Sequence, residues 1–496
     1  MENNGIRDAR SLGVPKMLVL GLQHMFAMFG ATVLVPALTG LSVSATLLFA
    51  GLGTLLFHFL AKGKVPAFLG SSFAYLAGYA AIAPNGEAAL LPYACVGVAC
   101  SAILYIVLAA LVKSFGTDKV MSFFPPVVTG PIIICIGLIL ANSAINNCVA
   151  SWPIALLAIA VVIVCNIWAK GMLKIIPILL GVVGACVVAA VTGNMEFSAV
   201  QAADLVGLQK FTIAKFDLSA ILVMAPLAIA AMMEHIGDIS AISSTVGDNF
   251  IEDPGLHRTL MGDGLATALA GFFGGPPNTT YGENTGVLVL SKVYDPRVVR
   301  LAAYFAILLS FSPKFDALVT AVPAAVIGGI SFILYGMIAA VGVRNVVENR
   351  VDLTKSRNLI IAAIIFVSGL GIDAITFTVG GTDVALTGMA IAAIAGVVLN
   401  AILPGNDYEF GKTEHSDNAH FAVLGDKRFC HIVFFDGKGT ESIFHRAGQH
   451  DRQCPVISLM LKEVPESSFG VRDDLLQKCF IAALLRDADD RLDGPE

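Results

Sequence analysis

Apolar runs long enough to cross a bilayer alternate with short polar or basic stretches over the first 403 positions, and beyond them the pattern stops. At roughly 17 to 25 residues per spanning helix, the runs predict helices near 15–38, 44–61, 88–112, 121–142, 151–169, 172–193, 218–238, 258–275, 297–313, 319–342, 358–371 and 385–403. Two pieces, 66–83 and 276–291, are too polar and too broken by Gly and Pro for ordinary spans; counting each as a crossing gives fourteen. The expected fold class is an all-α polytopic membrane protein of 14 transmembrane segments.

Composition agrees. The chain has 496 residues, 56% hydrophobic and 14% charged, with mean hydropathy +0.80, which excludes an ordinary soluble globule. If Met1 is cytoplasmic, the inside loops and N-terminus collect 17 of the 20 Lys and Arg of residues 1–403, leaving only Lys210, Lys215 and Lys314 outside. That asymmetry fits the positive-inside rule and would be scrambled by losing one crossing midway. Both termini are therefore expected in the cytoplasm, with residues 1–14 as a cytoplasmic N-terminus. The first apolar run is too long for a signal-peptide core and reads as a span. Residues 404–496 form a hydrophilic tail with 11 basic and 17 acidic residues, expected to be cytoplasmic and weakly ordered. Within it Phe429 to Phe435 reads as a strand and Asp473 to Leu485 as a helix. His445, His450 and Cys454 match no standard zinc spacing, so no metal site is expected. The cysteines show no disulfide-scaffold spacing.

A repeat underlies the layout. Gln23-His24 recurs as Glu234-His235, and Thr46-Leu47-x-x-x-Gly51-Leu52-x-Thr54 returns as Thr259-Leu260-x-x-x-Gly264-Leu265-x-Thr267. Each copy leads into a broken segment: Pro66-Ala67-Phe68-Leu69-Gly70-Ser71-Ser72-Phe73-Ala74-Tyr75 in the first half, Pro276 to Gly286 in the second. Pro126 to Gly130 is echoed by Pro323 to Gly328. Seven crossings is an odd number, so the second copy, 218–403, lies inverted relative to the first, 15–193. Paired interrupted segments in inverted repeats are where secondary transporters bind their cargo.

Only four acids fall inside the apolar regions: Glu234, Asp238, Asp263 and Glu283. Charge in the hydrocarbon region costs several kcal/mol, so these are candidate functional groups. Glu234 and Asp238 are four apart and share one helical face, while His235 is expected to point away from it. Desolvation and the like-charged neighbour disfavour the charged form, which suits groups that take up and release a proton as a cavity opens and closes. The competing readings are an end-of-helix acid near Asp248 and Glu252 for Asp238, and a buried acid tied to His24 for Glu234. Extended backbone meeting helix ends offers free N–H groups, and a flat heterocycle has N–H donors for carboxylates and carbonyls for those amides. Phe73 and Tyr281 are candidate stacking partners, although Phe73 taken alone reads as packing. No Lys or Arg lies in either broken segment, which argues against an anion exchanger. The spans hold no metal cluster, nucleotide loop or nucleophile constellation, so no enzyme activity is expected.

Leu22-Gln23-His24-Met25-Phe26-Ala27-Met28-Phe29-Gly30, Gly70-Ser71-Ser72-Phe73-Ala74, Glu234-His235-Ile236-Gly237, Asp253-Pro254-Gly255-Leu256-His257-Arg258 and Asn278-Thr279-Thr280-Tyr281-Gly282-Glu283-Asn284 are specific motifs. Over about residues 12 to 403 the chain resembles the nucleobase:cation symporters of the nucleobase–ascorbate transporter group, and within it the bacterial uracil permeases. The resemblance implies two inverted sevens, with a core domain of segments 1–4 and 8–11, a gate domain of segments 5–7 and 12–14, and short antiparallel β-strands in segments 3 and 10. It implies that Glu234 and Glu283 accept hydrogen bonds from pyrimidine N–H groups, that the backbones of Phe73 and Gly282 donate to its carbonyls, and that Tyr281 and Tyr335 line the pocket. Glu234, Asp238 and Glu283 would carry the proton coupling, with Gln23, His24, Ser71, Ser72 and Asn284 in support.

The chain departs from the uracil permeases in having Asp238 for a histidine and Asp263 for an asparagine, which also fits purine carriers, and Ser291 for a threonine. Glu283, where purine carriers more often have glutamine, favours uracil, because a carboxylate only accepts. The tail is also a departure. The expected function is proton-coupled uracil import across a bacterial cytoplasmic membrane by alternating access, the alternative being a xanthine or uric acid permease. The expected partners are a nucleobase, the lipid bilayer and a second copy through the gate domain, with no cofactor besides the proton and no nucleic acid.

Overall fold

The computed structural model describes residues 5–84, 86–170, 173, 176–207, 211–379, 382–405, 433–435 and 441–443. Residues 5–405 are dominated by helices. Among the described residues, six helices are long and apolar enough to cross a membrane, counting Pro126–Val149 and Leu218–Val246 each as one, and a pair bent by 89°, Pro296–Ser310 with Pro313–Thr320, raises this to 7. Shorter apolar helices are Phe73–Ile82, Trp152–Trp168, Pro177–Val191, Ser356–Gly371 and Gly388–Ile402. Their ends follow local chemistry. Val14–Thr39 stops at Gly40, whose left-handed φ of 78° lets its N–H close on the Pro36 carbonyl, and Val43–Leu60 begins at Ser42, whose hydroxyl accepts from Ala45 N–H.

The repeated letters do matching work in the two halves. In Val43–Leu60, a Cβ on Gly51 would meet the Ala303 carbonyl at 2.7 Å, so this helix lies hard against Pro296–Ser310. In Leu256–Phe272, a Cβ on Gly264 would meet Tyr105 at 2.4 Å, so that helix lies hard against Leu91–Phe115. Small residues permit such close approach where lipid supplies no hydrophobic drive between helices. Thr54 and Thr267, at the end of the same motif, each hold the first residue of a strand. Leu69 N–H donates to Thr54 Oγ1 at 2.9 Å, and Asn278 N–H donates to Thr267 Oγ1 at 3.1 Å.

Those strands are β1 (Leu69–Ser71) and β2 (Asn278–Thr280). They pair antiparallel with Leu69 opposite Thr280 and Ser71 opposite Asn278, and the ladder extends through Ser72 N–H to the Pro277 carbonyl and Tyr281 N–H to the Phe68 carbonyl. Pro66 and the run Gly274-Gly275-Pro276-Pro277 keep both segments from continuing as helices. Elsewhere the helices Pro126–Ile139 and Ala324–Glu348 cross at glycines, since a Cβ on Gly137 would meet the Tyr335 carbonyl at 2.4 Å and one on Gly342 the Ile134 nitrogen at 2.6 Å.

Several expectations shift. The helix expected to end at 238 runs on from Leu227 to Val246, capped by Gly247 at φ 80°. Between the last two apolar helices stands an unforeseen hairpin, β3 (Ala374–Val379) and β4 (Thr382–Thr387), with Ala374 opposite Thr387. The span expected to begin at 385 therefore starts as a helix only at Gly388. In the tail, β5 (Val433–Phe435) pairs antiparallel with β6 (Glu441–Ile443). The expected helix at Asp473 to Leu485, and His445, His450 and Cys454, lie outside the described residues.

Candidate functional site

β1 leads through Ser72 into the helical turn at Phe73, and β2 leads through Tyr281 into the helix Gly282–Ser291. Because the strands are antiparallel, these helices leave opposite ends of the pair, each with its N-terminus at the pair. Neither Ser72 nor Tyr281 caps its helix with a side chain. The first amides, at Phe73 and Gly282, thus set the positive ends of two helices at the two ends of the strand pair. Phe73 is buried, and its ring meets that of Tyr335 edge to face at 6.0 Å, joining the first broken segment to the helix Ala324–Glu348.

The acids come from Leu227–Val246. Asp238 Oδ2 accepts from Thr280 Oγ1 at 3.0 Å, and its Oδ1 lies 3.4 Å from where a Cβ on Gly282 would stand. Asp238 is half-buried two turns inside its helix, so the end-of-helix reading fails. His235 does not turn away. Its Nδ1 lies 3.3 Å from Thr280 Oγ1 and 3.5 Å from Asp263 Oδ2, and both His235 and Asp263 are fully buried. A threonine hydroxyl has one proton; with that given to Asp238, Thr280 accepts from His235, which makes Nδ1 the protonated ring nitrogen. The result is a row, Asp238–Thr280–His235–Asp263, across three elements.

The supporting residues close the other side. Asn284 Nδ2 donates to His24 Nδ1 and to the His24 carbonyl, both at 3.2 Å. Ser71 Oγ donates to the Thr32 carbonyl at 3.1 Å. Gln23 Oε1, His24 Nε2, Ser72 Oγ and Asn284 Oδ1 are buried with no hydrogen-bond partner among the described residues. Buried polar atoms with spare capacity are uncommon, and here they gather on residues flanking the strand pair.

Residues 15–377 match the family described as a permease family. A uracil permease of Bacillus subtilis (strain 168) is 41% identical over 424 residues, 81% of this chain and 95% of the relative. A uracil permease of Escherichia coli (strain K12) is 38% identical over 395 residues, 77% and 90% of the two chains. The chain belongs to the permease family. Among solved structures, the transmembrane domain of a cyanobacterium bicarbonate transporter, BicA, is similar with TM-score 0.53 at 16% identity, over 79% of this chain and 99% of that one. The overall structure of SLC26A9 is similar with TM-score 0.57 at 13% identity, over 78% and 64%. At these identities the likeness is one of fold, a fold used by membrane transporters.

In this permease the expected site residues are thus largely brought together: Phe73 with Tyr335, Asp238 with Gly282 across Thr280, His24 with Asn284, and Ser71 with Tyr281. Glu234 is half-buried one turn before Asp238 on the same helix. Glu283 belongs to the helix Gly282–Ser291, and its side chain lies outside the described residues. Tyr281 has a different task from the one expected. Its hydroxyl donates to the Ser71 carbonyl at 2.8 Å and its ring lies over Gly70, so it braces β1 rather than offering a free edge. Thr280 and the inward turn of His235 went unforeseen. The signal was present, since 235 and 238 are three apart and neighbours on a helix.

Proposed function

We propose that this permease is a proton-coupled uracil importer working by alternating access. The observation that carries the reading is the strand pair: two uncapped helix N-termini converge on it beside Asp238, with the Phe73–Tyr335 contact alongside. Amides at Phe73 and Gly282 suit the carbonyls of a pyrimidine, and the carboxylates of Glu234 and Glu283 suit its N–H groups. The remaining architecture follows the same reading. Fourteen segments form two inverted sevens, segments 1–4 and 8–11 make the core, and segments 5–7 and 12–14 make the gate. Both termini are cytoplasmic in a bacterial inner membrane, and two copies associate through the gate. The matching roles of Gly51 and Gly264, and of Thr54 and Thr267, support the inverted repeat.

Coupling would use the row behind β2. With Asp238 charged, protons point from His235 through Thr280 toward it. When Asp238 takes a proton it can donate to Thr280 Oγ1 in place of His235, and the His235 Nδ1–H is released toward Asp263 Oδ2, 3.5 Å away. The state of the carboxyl beside Gly282 is thereby linked to groups on Leu227–Val246 and Leu256–Phe272. Uptake of labelled uracil, with and without an uncoupler and against a panel of unlabelled bases, tests the function. Collapse of accumulation with the uncoupler and competition by pyrimidines are expected. Competition by xanthine or uric acid but not by uracil would replace uracil with a purine. Glu283→Gln is expected to abolish uptake with expression intact, and Asp238→Asn to spare binding while flattening the pH dependence of accumulation.

A further inference from the structure

Ahead of Val14–Thr39 the chain forms a strap across one end of the helices. Ile6 bridges Val293 in parallel, its N–H donating to the Lys292 carbonyl at 2.8 Å and its carbonyl accepting from Tyr294 N–H at 2.9 Å. Arg7 pairs with Asp248 and donates to the Val246 carbonyl at 3.0 Å. Ala9 N–H donates to Asp295 Oδ2 at 2.8 Å, and Arg297 reaches Asp8 at 2.8 Å. Between the strap and the first helix lies an open groove of about 420 Å³, walled by Leu12, Val19, Leu20 and Val293, with Lys16 and Ser291 at its edge.

Charge decides what fits it. The nearby acids are committed, Asp248 to Arg7 and both Asp8 and Asp295 to Arg297. Lys16 and Lys292 are exposed, and neither has an ion pair among the described residues. Val14 and Val19, at 68% and 50% exposure, present apolar side chains on the first turns of the same helix. An apolar slot beside uncompensated cations at the end of a spanning helix matches a ligand with both a tail and a negative headgroup. A soluble phosphate would leave the apolar wall unused, and a neutral lipid would leave the lysines unused.

We propose that this groove binds an anionic glycerophospholipid, with an acyl chain along the apolar wall and the phosphate at Lys16 and Lys292. The assignment to the cytoplasmic leaflet rests on the orientation given under the proposed function. The strap also ties Asp248, beyond the helix of Asp238, to Lys292, beyond the helix of Gly282. An occupied groove therefore braces both site-bearing helices.

Native mass spectrometry of the full chain in detergent, offered equal phosphatidylglycerol and phosphatidylcholine, tests the site. Wild type is expected to retain phosphatidylglycerol with a preference of up to roughly thirtyfold, from two cations beside an anionic headgroup. Lys16→Glu with Lys292→Glu should remove the preference, and Ser291→Phe should lower retention with the charges intact. Equal retention of both lipids by wild type, or an unchanged preference in the charge variant, overturns the proposal. If a variant fails to fold, a photoactivatable phosphatidylglycerol on wild type decides: cross-links at residues 6–20 or 291–293 support the site, and cross-links elsewhere overturn it. Uracil uptake is scored separately, so a wild type that prefers phosphatidylglycerol yet carries no uracil overturns the transport reading alone.

Discussion

Thr280→Val keeps the shape of the side chain and removes one hydroxyl. That hydroxyl is 3.0 Å from Asp238 Oδ2 and 3.3 Å from His235 Nδ1, on a residue 1% exposed. A hydrogen bond to a charged group contributes about 1.5–3 kcal/mol. Since 1.4 kcal/mol is a factor of ten, the balance between the two proton arrangements of the row should change by about 10- to 150-fold. The assay is uracil accumulation in proteoliposomes under an imposed pH gradient, beside equilibrium binding with no gradient. Accumulation is expected to fall at least about tenfold while binding stays close to wild type, because the Thr280 hydroxyl is engaged by Asp238 and His235 and is not one of the groups proposed to meet the base, the Phe73 and Gly282 amides and the Glu234 and Glu283 carboxylates. Thr280→Ser, which returns the hydroxyl, should recover most of it. Accumulation equal to wild type would refute the row as a coupling element. A parallel fall in binding and accumulation would refute it too, making Thr280 a substrate contact.

Thr54→Val and Thr267→Val should each leave a buried strand N–H without its acceptor, at about 1–3 kcal/mol; a lowered thermal midpoint in only one of them would break the equivalence of the two motifs. Gly70→Ala places a Cβ 2.4 Å from the Tyr281 ring and 2.7 Å from Thr32 Oγ1, an overpacking of about 1–3 kcal/mol, so the thermal midpoint and uracil binding should fall together, and wild-type behaviour would show that β1 yields. Lys64 pairs with Asp253, and chiefly this hydrogen bond holds the Asp253 carboxyl below its ordinary value. A lowered carboxyl stabilises the fold above its unfolded value of about 3.9 and loses that effect as pH falls through the folded value. Midpoints of wild type and Asp253→Asn should accordingly differ at neutral pH and converge in acid, and a constant offset at every pH would deny the pair its role.

The multi-pass membrane character was legible because hydrocarbon leaves the backbone few options, so long apolar runs announce spanning helices. What the runs could not convey was continuity. Pro226 sits between Leu218–Met224 and Leu227–Val246, and the polar letters after Asp238 disguise two further turns of helix. Ser240, Ser243 and Ser244 there return their hydroxyls to carbonyls one turn back, satisfying themselves within the helix. The β3–β4 hairpin escaped for the opposite reason. Ala374-Ile375-Thr376-Phe377-Thr378-Val379 alternates with period two and is followed by Gly380-Gly381, a hairpin signal that lay between the two expected spans and that a reading of apolar run length passes over.

The site was legible through its acids and its broken backbone, both costly in lipid and so informative one by one. Relations among residues were harder to read, since Thr280 looks like any strand threonine until its neighbours are known. Tyr281 shows the same limit, because its place in a specific motif says that it matters without saying whether it meets cargo or braces Ser71. The internal repeat narrows this gap. A threonine that recurs at the end of both copies of one motif has to serve something both copies contain, and the only broken elements the copies share are β1 and β2. Thr54 on Leu69 and Thr267 on Asn278 are that service. Thr280 stands opposite Leu69 in the register, which places Asp238 and His235 on the second copy's side of the pair and Thr54 on the first. The two strands are supported alike, yet among the described residues only β2 meets the row of Asp238, His235 and Asp263, so the likeness of the two strands ends at Thr280.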